Sequence, residues 1–449
     1  MSLHVETIET ASLGDRTYLV HDGEVAVVID PQRDIDRVTA CADDLGVRIT
    51  HVAETHLHND YVSGGLTLAQ VTGATYLHAA AEELPFAHQP VGDGDTVDIG
   101  DLRLEVVHTP GHTAHHLSFV VTGADAAPAV FTGGSLLLGS VGRTDLVSPD
   151  CTEELTRAQY RSAHALAGRL PDDASIHPTH GFGSFCASAS SDEDSDGTLA
   201  TEKKVNIALT APSEDDFVER LLAGLDDYPR YYAHMGPLNR AGAPAIDLSP
   251  PEAVDPVELA RRIHRGEWVV DLRPRRDFAA GHVAGTIGIE LADGFATYLG
   301  WLVPWGMPLT LLADDPAAIA TAQRQLVRIG IDRVAGAMDG SPDTWQPDAE
   351  RRSYPVVQFA DLDPDDLPTV LDVRRASEHA DGHIADAVNV PLHELTARPD
   401  DLPDGVLHVH CASGYRASIA ASLLDRAGHD VVLIDDEYDH AADAGLPTA

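Results

Sequence analysis

The sequence predicts an α/β protein with parallel β-sheets, and three features of the 449-residue chain support this. Short apolar runs typical of strands alternate with stretches that have helical periodicity. Residues 269–285 and 370–386 repeat one pattern, a buried strand, a turn and a short helix before a G-H-[VI]-A loop. Several histidines come directly after predicted strands. Alternating strands and helices favour parallel sheets, and a chain of this length needs two or three domains.

The chain is strongly acidic. Its 72 Asp and Glu residues face 30 Lys and Arg residues, which gives a net charge of -42, and the only lysines are Lys203 and Lys204. Acidity spread along the chain together with the loss of lysine favours the surface of a halophilic protein over that of an ordinary acidic cytosolic protein. Such a surface repels phosphate backbones and anionic lipids, so we expect no nucleic-acid partner and no membrane partner.

Cysteine usage and the N-terminal residues favour a cytoplasmic protein. The 4 cysteines form no C-x-x-C pair, which argues against a disulfide framework and a zinc ribbon. Residues 1–6 show no basic or apolar targeting segment, and the most apolar window, residues 301–313, is too short to cross a bilayer. We expect a homo-oligomer in a reducing cytoplasm.

The first 245 residues are predicted to form one domain in which strands and helices alternate. Strands are predicted at 16–21, 25–29, 49–53, 75–77, 102–108 and 129–132, with a further strand end within 175–181, helices at 34–45 and 65–72, and a hairpin-like pair around 92–94. Histidines at the ends of such strands are what a metal site at a sheet edge requires, because the sheet fixes the ligands in place.

The strongest candidate metal site is the motif E-T-H-L-H-N-D-Y at residues 54–61, which leaves a predicted strand. His56, His58 and Asp60 are spaced so that they can converge on one cation. His112 lies in the tight turn T-P-G-H-T after the strand that ends at residue 108, and His180 follows another strand end. The strand-end context of His56, His58 and His112 together favours metal binding over the ordinary role of a surface or core histidine. That ordinary role is predicted for the remaining histidines of these loops, His108, His115, His116 and His177.

The order of these motifs resembles that of a known family. H-x-H-x-D, G-H-T, F-T-G and a strand-end histidine follow one another as in the glyoxalase II and persulfide dioxygenase branch of the metallo-β-lactamase fold. G-R-T-D at 142–145 is similar to a segment of the persulfide dioxygenases. Residues 202–206 and 231–244 resemble the tail of bacterial enzymes in which such a domain is fused to rhodanese modules. The resemblance implies an αββα sandwich followed by two rhodanese-like α/β domains.

The resemblance also implies a metal. In persulfide dioxygenases one Fe(II) is held by two histidines and one aspartate, and the histidines match His56 and His112. The aspartate belongs to an F-T-G-D motif, in which this sequence has Gly134. We therefore expect one metal ion, Fe(II) preferred and Zn possible, on His56, His58 and His112, with Asp60 able to restore a carboxylate. An empty, degenerate site is the alternative.

A two-metal hydrolase of the glyoxalase II type is improbable on this sequence. It needs the aspartate that Gly134 replaces and a histidine where Tyr61 stands, which leaves only Asp60 and His180 for the second metal. Arg143 in the G-R-T-D segment has two predicted roles of equal weight. It either pairs with a carboxylate of a thiol carrier or forms a structural salt bridge.

The two C-terminal copies resemble rhodanese domains and differ at one position. In the second copy, C-A-S-G-Y-R at 411–416 lies between a predicted strand, 406–410, and a predicted helix, 417–427, and matches the C-x-x-G-x-R active loop. The helix N-terminus and Arg416 favour the thiolate of Cys411, which is the nucleophile. The rest of the predicted substrate cradle is Ser413, Gly414 and Tyr415. Ala313 stands at the cysteine position of the first copy, which therefore cannot carry sulfur.

We expect three domains, 1–245, 246–350 and 351–449, with a proline-rich linker at 236–256. The preferred function is metal-dependent oxidation of a thiol persulfide to sulfite, coupled to sulfur transfer on Cys411. The expected partner is a low-molecular-weight thiol persulfide or thiosulfate. The first alternative is a sulfurtransferase whose first domain is a non-oxidising scaffold or binding module, and a thioester hydrolase is the weakest alternative.

Overall fold

The computed structural model describes residues 2–124, 126–188 and 196–449. The chain divides into two compact units, Met1–Asp247 with Leu326–Gly330, and Leu248–Gln325 with Ile331–Ala449. The first unit is an αββα sandwich, in which two sheets face each other and helices cover their outer faces. The second unit contains two smaller parallel sheets with helices. The α/β fold with parallel strands is confirmed.

Six strands form the first sheet, in the order β1-β2-β3-β4-β5-β6. They are β1 (His4–Thr10), β2 (Asp15–His21), β3 (Val25–Ile29), β4 (Arg48–Ala53), β5 (Thr75–Ala79) and β6 (Gln89–Val91). The first three strands are antiparallel neighbours, whereas β3 to β6 run parallel. The parallel part places the end of β4, and the histidine motif that follows it, at one edge of the sheet.

Five strands form the second sheet, in the order β11-β10-β9-β8-β7. They are β7 (Thr96–Ile99), β8 (Leu102–His108), β9 (Leu117–Thr122), β10 (Ala129–Gly133) and β11 (Ser175–Pro178). The predicted hairpin around residues 92–94 is wrong, because β6 belongs to the first sheet and β7 to the second. The turn between them crosses from one sheet to the other, and its Gly94 N–H donates to the carbonyl of Val106 at 2.9 Å.

The core of the sandwich lies between the two sheets. Alternate residues of facing strands fill it, among them Tyr18, Ile29, Leu104 and Phe119, which are fully buried. Apolar residues that point to the outer faces pack under the helices. The helices are α1 (Asp36–Leu45), α2 (Gly65–Thr72), α3 (Thr152–Arg169), α4 (Leu199–Val205), α5 (Ile207–Thr210), α6 (Glu214–Ala223) and α7 (Tyr232–Ala241).

The predicted linker begins too early. Residues 236–241 belong to α7, which contains Pro237. Proline normally weakens a helix interior, but tertiary contacts of Asn239 hold this helix against the loop after β4. The side-chain N–H groups of Asn239 donate to the carbonyls of His58 and Tyr61, both at 2.9 Å, and its Oδ1 accepts from the Ser63 N–H at 2.8 Å.

The second unit contains two parallel sheets that share one strand order. The first has the order β14-β12-β15-β16, and the second, read from its far edge, has β20-β19-β21-β22 followed by β18. The strands are β12 (Trp268–Asp271), β13 (His282–Val283), β14 (Ile287–Gly288), β15 (Leu309–Ala313), β16 (Val334–Asp339), β17 (Arg351–Arg352), β18 (Val356–Val357), β19 (Val370–Asp372), β20 (Val388–Asn389), β21 (Leu407–His410) and β22 (Val431–Ile434). The helices from residue 248 onward are α8 (Pro256–His264), α9 (Arg275–Ala280), α10 (Phe295–Leu302), α11 (Pro316–Arg328), α12 (Pro342–Trp345), α13 (Ala376–Ala380), α14 (Tyr415–Ala427) and α15 (His440–Asp443).

The predicted repeat is confirmed down to single hydrogen bonds. In the first copy, Arg273 Nη2 donates to Asp271 Oδ2 at 2.6 Å and to the carbonyl of the G-H glycine at 3.0 Å. In the second copy, Arg374 Nη2 donates to Asp372 Oδ2 at 2.7 Å and to the corresponding carbonyl at 2.8 Å. Each arginine therefore ties a strand end to the loop of its own copy. Within the described ranges, no helix has the length and apolar character needed to cross a bilayer.

Candidate functional site

Three buried imidazoles converge where strands of the sandwich end. His56 follows β4, His112 follows β8 and His180 follows β11, and one ring nitrogen of each lies within 4.8 Å of the other two. The Nε2 atoms of His56 and His180 are 3.4 Å apart. The Nε2 atom of His112 is buried and has no hydrogen-bond partner. Since buried polar atoms normally have a partner, this convergence fits a metal ion.

His112 and His56 are held as neutral imidazoles. The carbonyl of Arg143 lies 2.7 Å from His112 Nδ1, so Nδ1 carries the proton and Nε2 keeps its lone pair. Gln159 Oε1 accepts from the His112 backbone N–H at 2.7 Å and fixes the turn. Burial lowers the pKa of His112 to about 3 and holds the pKa of His56 well below its usual range. Neutral imidazoles are the form that binds metals.

Two carboxylates orient His180. Its Nδ1 lies 2.9 Å from Asp15 Oδ1 and 2.9 Å from Asp60 Oδ2, so the proton sits on Nδ1 and Nε2 turns toward His56. Burial lowers the pKa of His180, but the charges of Asp60 and Asp15 outweigh it and raise that pKa well above its usual value. Asp60, a predicted ligand, lies behind His180 in this structure, and its role as a ligand stays a prediction, since it also forms a group of possible ligands with His58 and His180. A carboxylate behind a metal-bound histidine increases the basicity of that histidine.

His58, a predicted ligand, takes part in a different network. Its Nε2 lies 3.3 Å from Asp30 Oδ1, 3.2 Å from Glu54 Oε2 and 3.0 Å from the Tyr61 hydroxyl. Burial lowers the pKa of His58, but Asp30 and Glu54 raise it to about 9, so the ring is protonated near neutral pH. The structure thus groups His180, rather than His58, with His56 and His112. His58 does form a second group of possible ligands with Asp60 and His180.

The ring of His112 occupies the space beside Gly134, the position of the missing aspartate. A Cβ built on Gly134 would lie 2.6 Å from His112 Cγ and 2.8 Å from Nε2. Gly134 is held in place by its own N–H, which donates to His116 Nε2 at 3.0 Å. A carboxylate therefore cannot be added at position 134 while His112 keeps this position.

Substitution of Gly134 by alanine is expected to lower the free energy of unfolding by about 1–3 kcal/mol, because the new methyl group overlaps the His112 ring. Urea unfolding of the metal-free protein measures this. Gly168→Ala is the matched control, since a Cβ at this position in α3 meets nothing within 4 Å. That control is expected to be neutral or slightly stabilising. Equal stability of the Gly134→Ala variant and the wild type would show that His112 moves freely.

Sequence reasoning missed Asp30, which lies at the end of β3. Its Oδ1 accepts from the Thr55 N–H at 2.7 Å, and its Oδ2 accepts from the hydroxyls of Thr55, at 2.7 Å, and Thr179. Asp30 therefore ties the loop of His56 to the loop of His180. Its backbone has φ 51°, a region that few residues other than glycine adopt. A buried carboxylate at a strand end was the available signal, but the sequence does not show where its oxygens point.

Arg143 is already fully engaged with protein groups. Its guanidinium donates to both carboxylate oxygens of Asp145, at 2.7 and 2.8 Å, and to the carbonyls of Phe185 and Asp226. It also lies over the ring of Tyr228. These contacts support the structural role that the sequence left open. A role in substrate binding stays a prediction, and it would require some of these bonds to break.

The Cys411 loop has the predicted setting. Cys411 is 1% exposed and lies between β21 and the N-terminus of α14. Gly414 has φ 84°, and a Cβ on it would lie 3.1 Å from Asp435 Cα, so only glycine fits this turn. Ser413 lines a cavity of about 360 Å³ beside the loop. The Tyr415 hydroxyl donates to the carbonyl of Glu290 at 2.7 Å.

Arg416 does not offer a free positive charge to Cys411. Both of its terminal nitrogens donate to Glu378, at 2.6 and 2.7 Å. Burial raises the pKa of Glu378, but Arg416 and Arg375 outweigh it and lower that pKa to about 2. Arg416 and Glu378 together therefore support the loop as a bidentate pair.

Substitution of Glu378 by glutamine is expected to lower the free energy of unfolding by about 2 kcal/mol at pH 7. The folded pKa is depressed, so this stabilisation is present above the unfolded value of 4.5 and is lost as pH falls through about 2. The difference between variant and wild type should shrink to less than half at pH 3, as measured by urea unfolding. Glu394→Gln is the control, because its partner Arg398 is exposed. A pH-independent difference would contradict the ion pair.

Comparison with known proteins identifies the first unit. A family model described as the metallo-beta-lactamase superfamily matches residues 16–180. The human mitochondrial persulfide dioxygenase ETHE1 is 32% identical over 216 residues, which cover 45% of this chain and 80% of that protein. The chain belongs to the metallo-beta-lactamase superfamily. A hydroxyacylglutathione hydrolase of Cereibacter sphaeroides is 34% identical to this superfamily member over 184 residues, which cover 40% of this chain and 67% of the relative.

The similarity of this metallo-beta-lactamase superfamily member to a solved structure extends beyond the first unit. A metallo-beta-lactamase from Staphylococcus aureus superposes with a TM-score of 0.68 at 28% identity, over 76% of this chain and 100% of that chain. A rhodanese-like family model matches residues 357–441, which include Cys411. That match covers the second copy alone. The first copy shares its strand order and its Asp–Arg pair, and its membership of the rhodanese family stays a prediction.

Proposed function

We propose that this protein is an enzyme of sulfur metabolism with two sites, one that oxidises a thiol persulfide to sulfite and one that transfers sulfur on Cys411. One observation carries the proposal. A domain that is 32% identical to a persulfide dioxygenase and a rhodanese-like domain with a cysteine at the N-terminus of a helix occur in the same chain. Both sites would act on sulfur bound to sulfur, so a low-molecular-weight thiol persulfide or thiosulfate is the proposed substrate.

The residues proposed to hold the metal are His56, His112 and His180. An Fe(II) ion with open positions would bring O2 and a persulfide sulfur together and move electrons between them. Asp15 and Asp60 keep the Nδ1 proton of His180 in place and so direct Nε2 inward. Three histidines also suit Zn once His180 gives up its second ring proton to the solvent on metal binding, so the identity of the metal belongs to the proposal.

In the second site, Cys411 is the proposed nucleophile. Its thiolate attacks the outer sulfur of thiosulfate, the S–S bond of thiosulfate breaks, and the electron pair leaves with sulfite. The product is a persulfide anion on Cys411, which a thiol or cyanide then attacks at the outer sulfur and so restores the thiolate. The N–H groups at the start of α14 face this negative charge.

The position of His112 favours a second candidate function. Because its ring fills the space of the missing aspartate, no carboxylate from position 134 can reach a bound metal. A sulfurtransferase whose first domain binds a substrate or a metal without oxidation is therefore the alternative. Because one relative is a hydroxyacylglutathione hydrolase, thioester hydrolysis is tested as a third possible function.

Oxygen consumption decides between these functions. The protein is loaded with Fe(II), its iron content is measured, and a low-molecular-weight thiol persulfide is added in an oxygen electrode. The proposal predicts uptake of O2 with formation of sulfite, unchanged in Cys411→Ala and lost in His112→Ala. If the protein takes up no O2 at full iron occupancy but does transfer sulfur from thiosulfate to cyanide, the sulfurtransferase function is supported and the oxidation is contradicted. Turnover of an acyl thioester would instead support a hydrolase.

A further inference from the structure

Tyr298, in the copy without a cysteine, lies beside the Cys411 loop of the other copy. It belongs to α10, and its ring centroid is 5.8 Å from that of Tyr415, the residue that begins α14. Gly294, just before α10, allows this approach, since a Cβ there would lie 3.2 Å from the Tyr298 ring and 3.4 Å from the Tyr415 ring. The two copies thus meet at this point within one compact unit.

Several further contacts fix α10 and its neighbours against the second copy. The Tyr415 hydroxyl donates to the carbonyl of Glu290, and Arg275 Nε donates to Asp435 at 2.7 Å. Trp301, one turn after Tyr298, stacks on His393 with ring centroids 4.7 Å apart. The position of Tyr298 relative to the loop is therefore set by contacts on several sides and not by its own packing alone.

The hydroxyl of Tyr298 is close enough to the loop to interact electrostatically with its charged groups. The groups that act on it electrostatically are Arg416, Cys411, Arg375 and Glu378. Among the residues that the structure describes, none forms a hydrogen bond with this hydroxyl. Burial raises the pKa of Tyr298, so the hydroxyl keeps its proton near neutral pH and is a donor. Arg416 is already paired with Glu378, so its charge is offset by a carboxylate.

We propose that the Tyr298 hydroxyl donates a hydrogen bond to the negative sulfur on Cys411 and so completes the sulfur-transfer site from the first copy. This inference rests on the proposed sulfur transfer. It gives the copy without a cysteine a direct role in that reaction. The thiolate and the persulfide anion both carry the charge that the hydroxyl would stabilise, and no proton leaves Tyr298 during the transfer.

The test is the variant Tyr298→Phe in the full-length protein, which removes one oxygen and keeps the ring. A hydrogen bond to a charged group contributes enough that kcat/KM for thiosulfate-to-cyanide transfer is expected to fall roughly 10- to 100-fold. Tyr354→Phe is the matched control, because its hydroxyl is buried in the same unit without a hydrogen-bond partner. That control is expected to keep the wild-type rate.

A second measurement needs no turnover. Alkylation of Cys411 by iodoacetamide is followed by mass spectrometry of its peptide at pH 7 and at pH 10. The variant is expected to react more slowly than wild type at pH 7 and equally fast at pH 10, since the hydrogen bond favours the thiolate. Equal alkylation at both pH values, whether or not the transfer rate falls, would overturn the inference. Wild-type protein that transfers no sulfur would overturn the proposed transfer, and the alkylation result would still decide the role of Tyr298.

Discussion

Replacement of Cys411 by alanine is expected to reduce thiosulfate-to-cyanide sulfur transfer by at least roughly 1,000-fold, because the variant has no atom that can carry the sulfur. The position supports this magnitude. Cys411 directly follows the end of β21 and comes four residues before Tyr415, which begins α14, whereas Cys151 caps α3 with no strand directly before it. Cys41 lies within α1 and Cys186 in a loop. Thiocyanate formation at several thiosulfate concentrations measures the effect.

The control for this variant is Cys151→Ala. Cys151 is half-buried in the first unit, where its thiol donates to the carbonyl of Ser148 at 3.3 Å. Its replacement is expected to leave transfer unchanged. Metal content should be the same in both variants, since neither cysteine belongs to a group of possible metal ligands within the described part of the chain. If transfer survives in Cys411→Ala and disappears in Cys151→Ala, the sulfur carrier lies in the first unit, which contradicts the proposed role of Cys411.

Replacement of His180 by alanine is expected to weaken metal binding by at least about 100-fold, because it removes one of the three proposed ligands, the one that Asp15 and Asp60 orient. Isothermal titration of the metal-free protein with Fe(II) or Zn(II) measures this. The matched control is His108→Ala, which removes an exposed histidine at the end of β8, four residues before His112. That control is expected to bind metal as the wild type does.

A comparison with His58 makes this test decisive. His58→Gln removes a protonated ring that pairs with Asp30 and Glu54, so it is expected to lower stability more than metal affinity. The sequence motif alone predicts the reverse order, in which loss of His58 matters most for the metal. If His58→Gln loses more metal affinity than His180→Ala, the ligand set predicted from the sequence motif is correct and the set inferred from the structure is contradicted.

Much of the fold could be predicted because local patterns agree with the tertiary structure. The strand at Val25–Ile29, the helix at Gly65–Thr72 and the strand at Leu102–His108 were predicted at their observed bounds. The hairpin at residues 92–94 could not be predicted correctly, because a turn rich in glycine looks the same within one sheet and between two. The helix that contains Pro237 was missed because Asn239 binds a loop far away in the sequence.

The metal site shows the same limit at the level of single atoms. Spacing correctly marked His56 and His112 as neighbours of a strand end, and it included His180 among the candidates. It could not show that Tyr61, Asp30 and Glu54 engage the Nε2 of His58. The loss of the aspartate at Gly134 was visible in the sequence. That the ring of His112 fills the vacated space was visible only in three dimensions.

The most direct test of the central claim, that His56, His112 and His180 bind one metal ion, is a crystal structure of the metal-loaded protein with anomalous data at the metal edge. The account predicts one anomalous peak bonded to a ring nitrogen of each of these three residues, with Asp15 and Asp60 still hydrogen-bonded to His180. A peak bonded to His58 in place of His180 would contradict it, as would full-length protein at saturating iron with no metal among these rings.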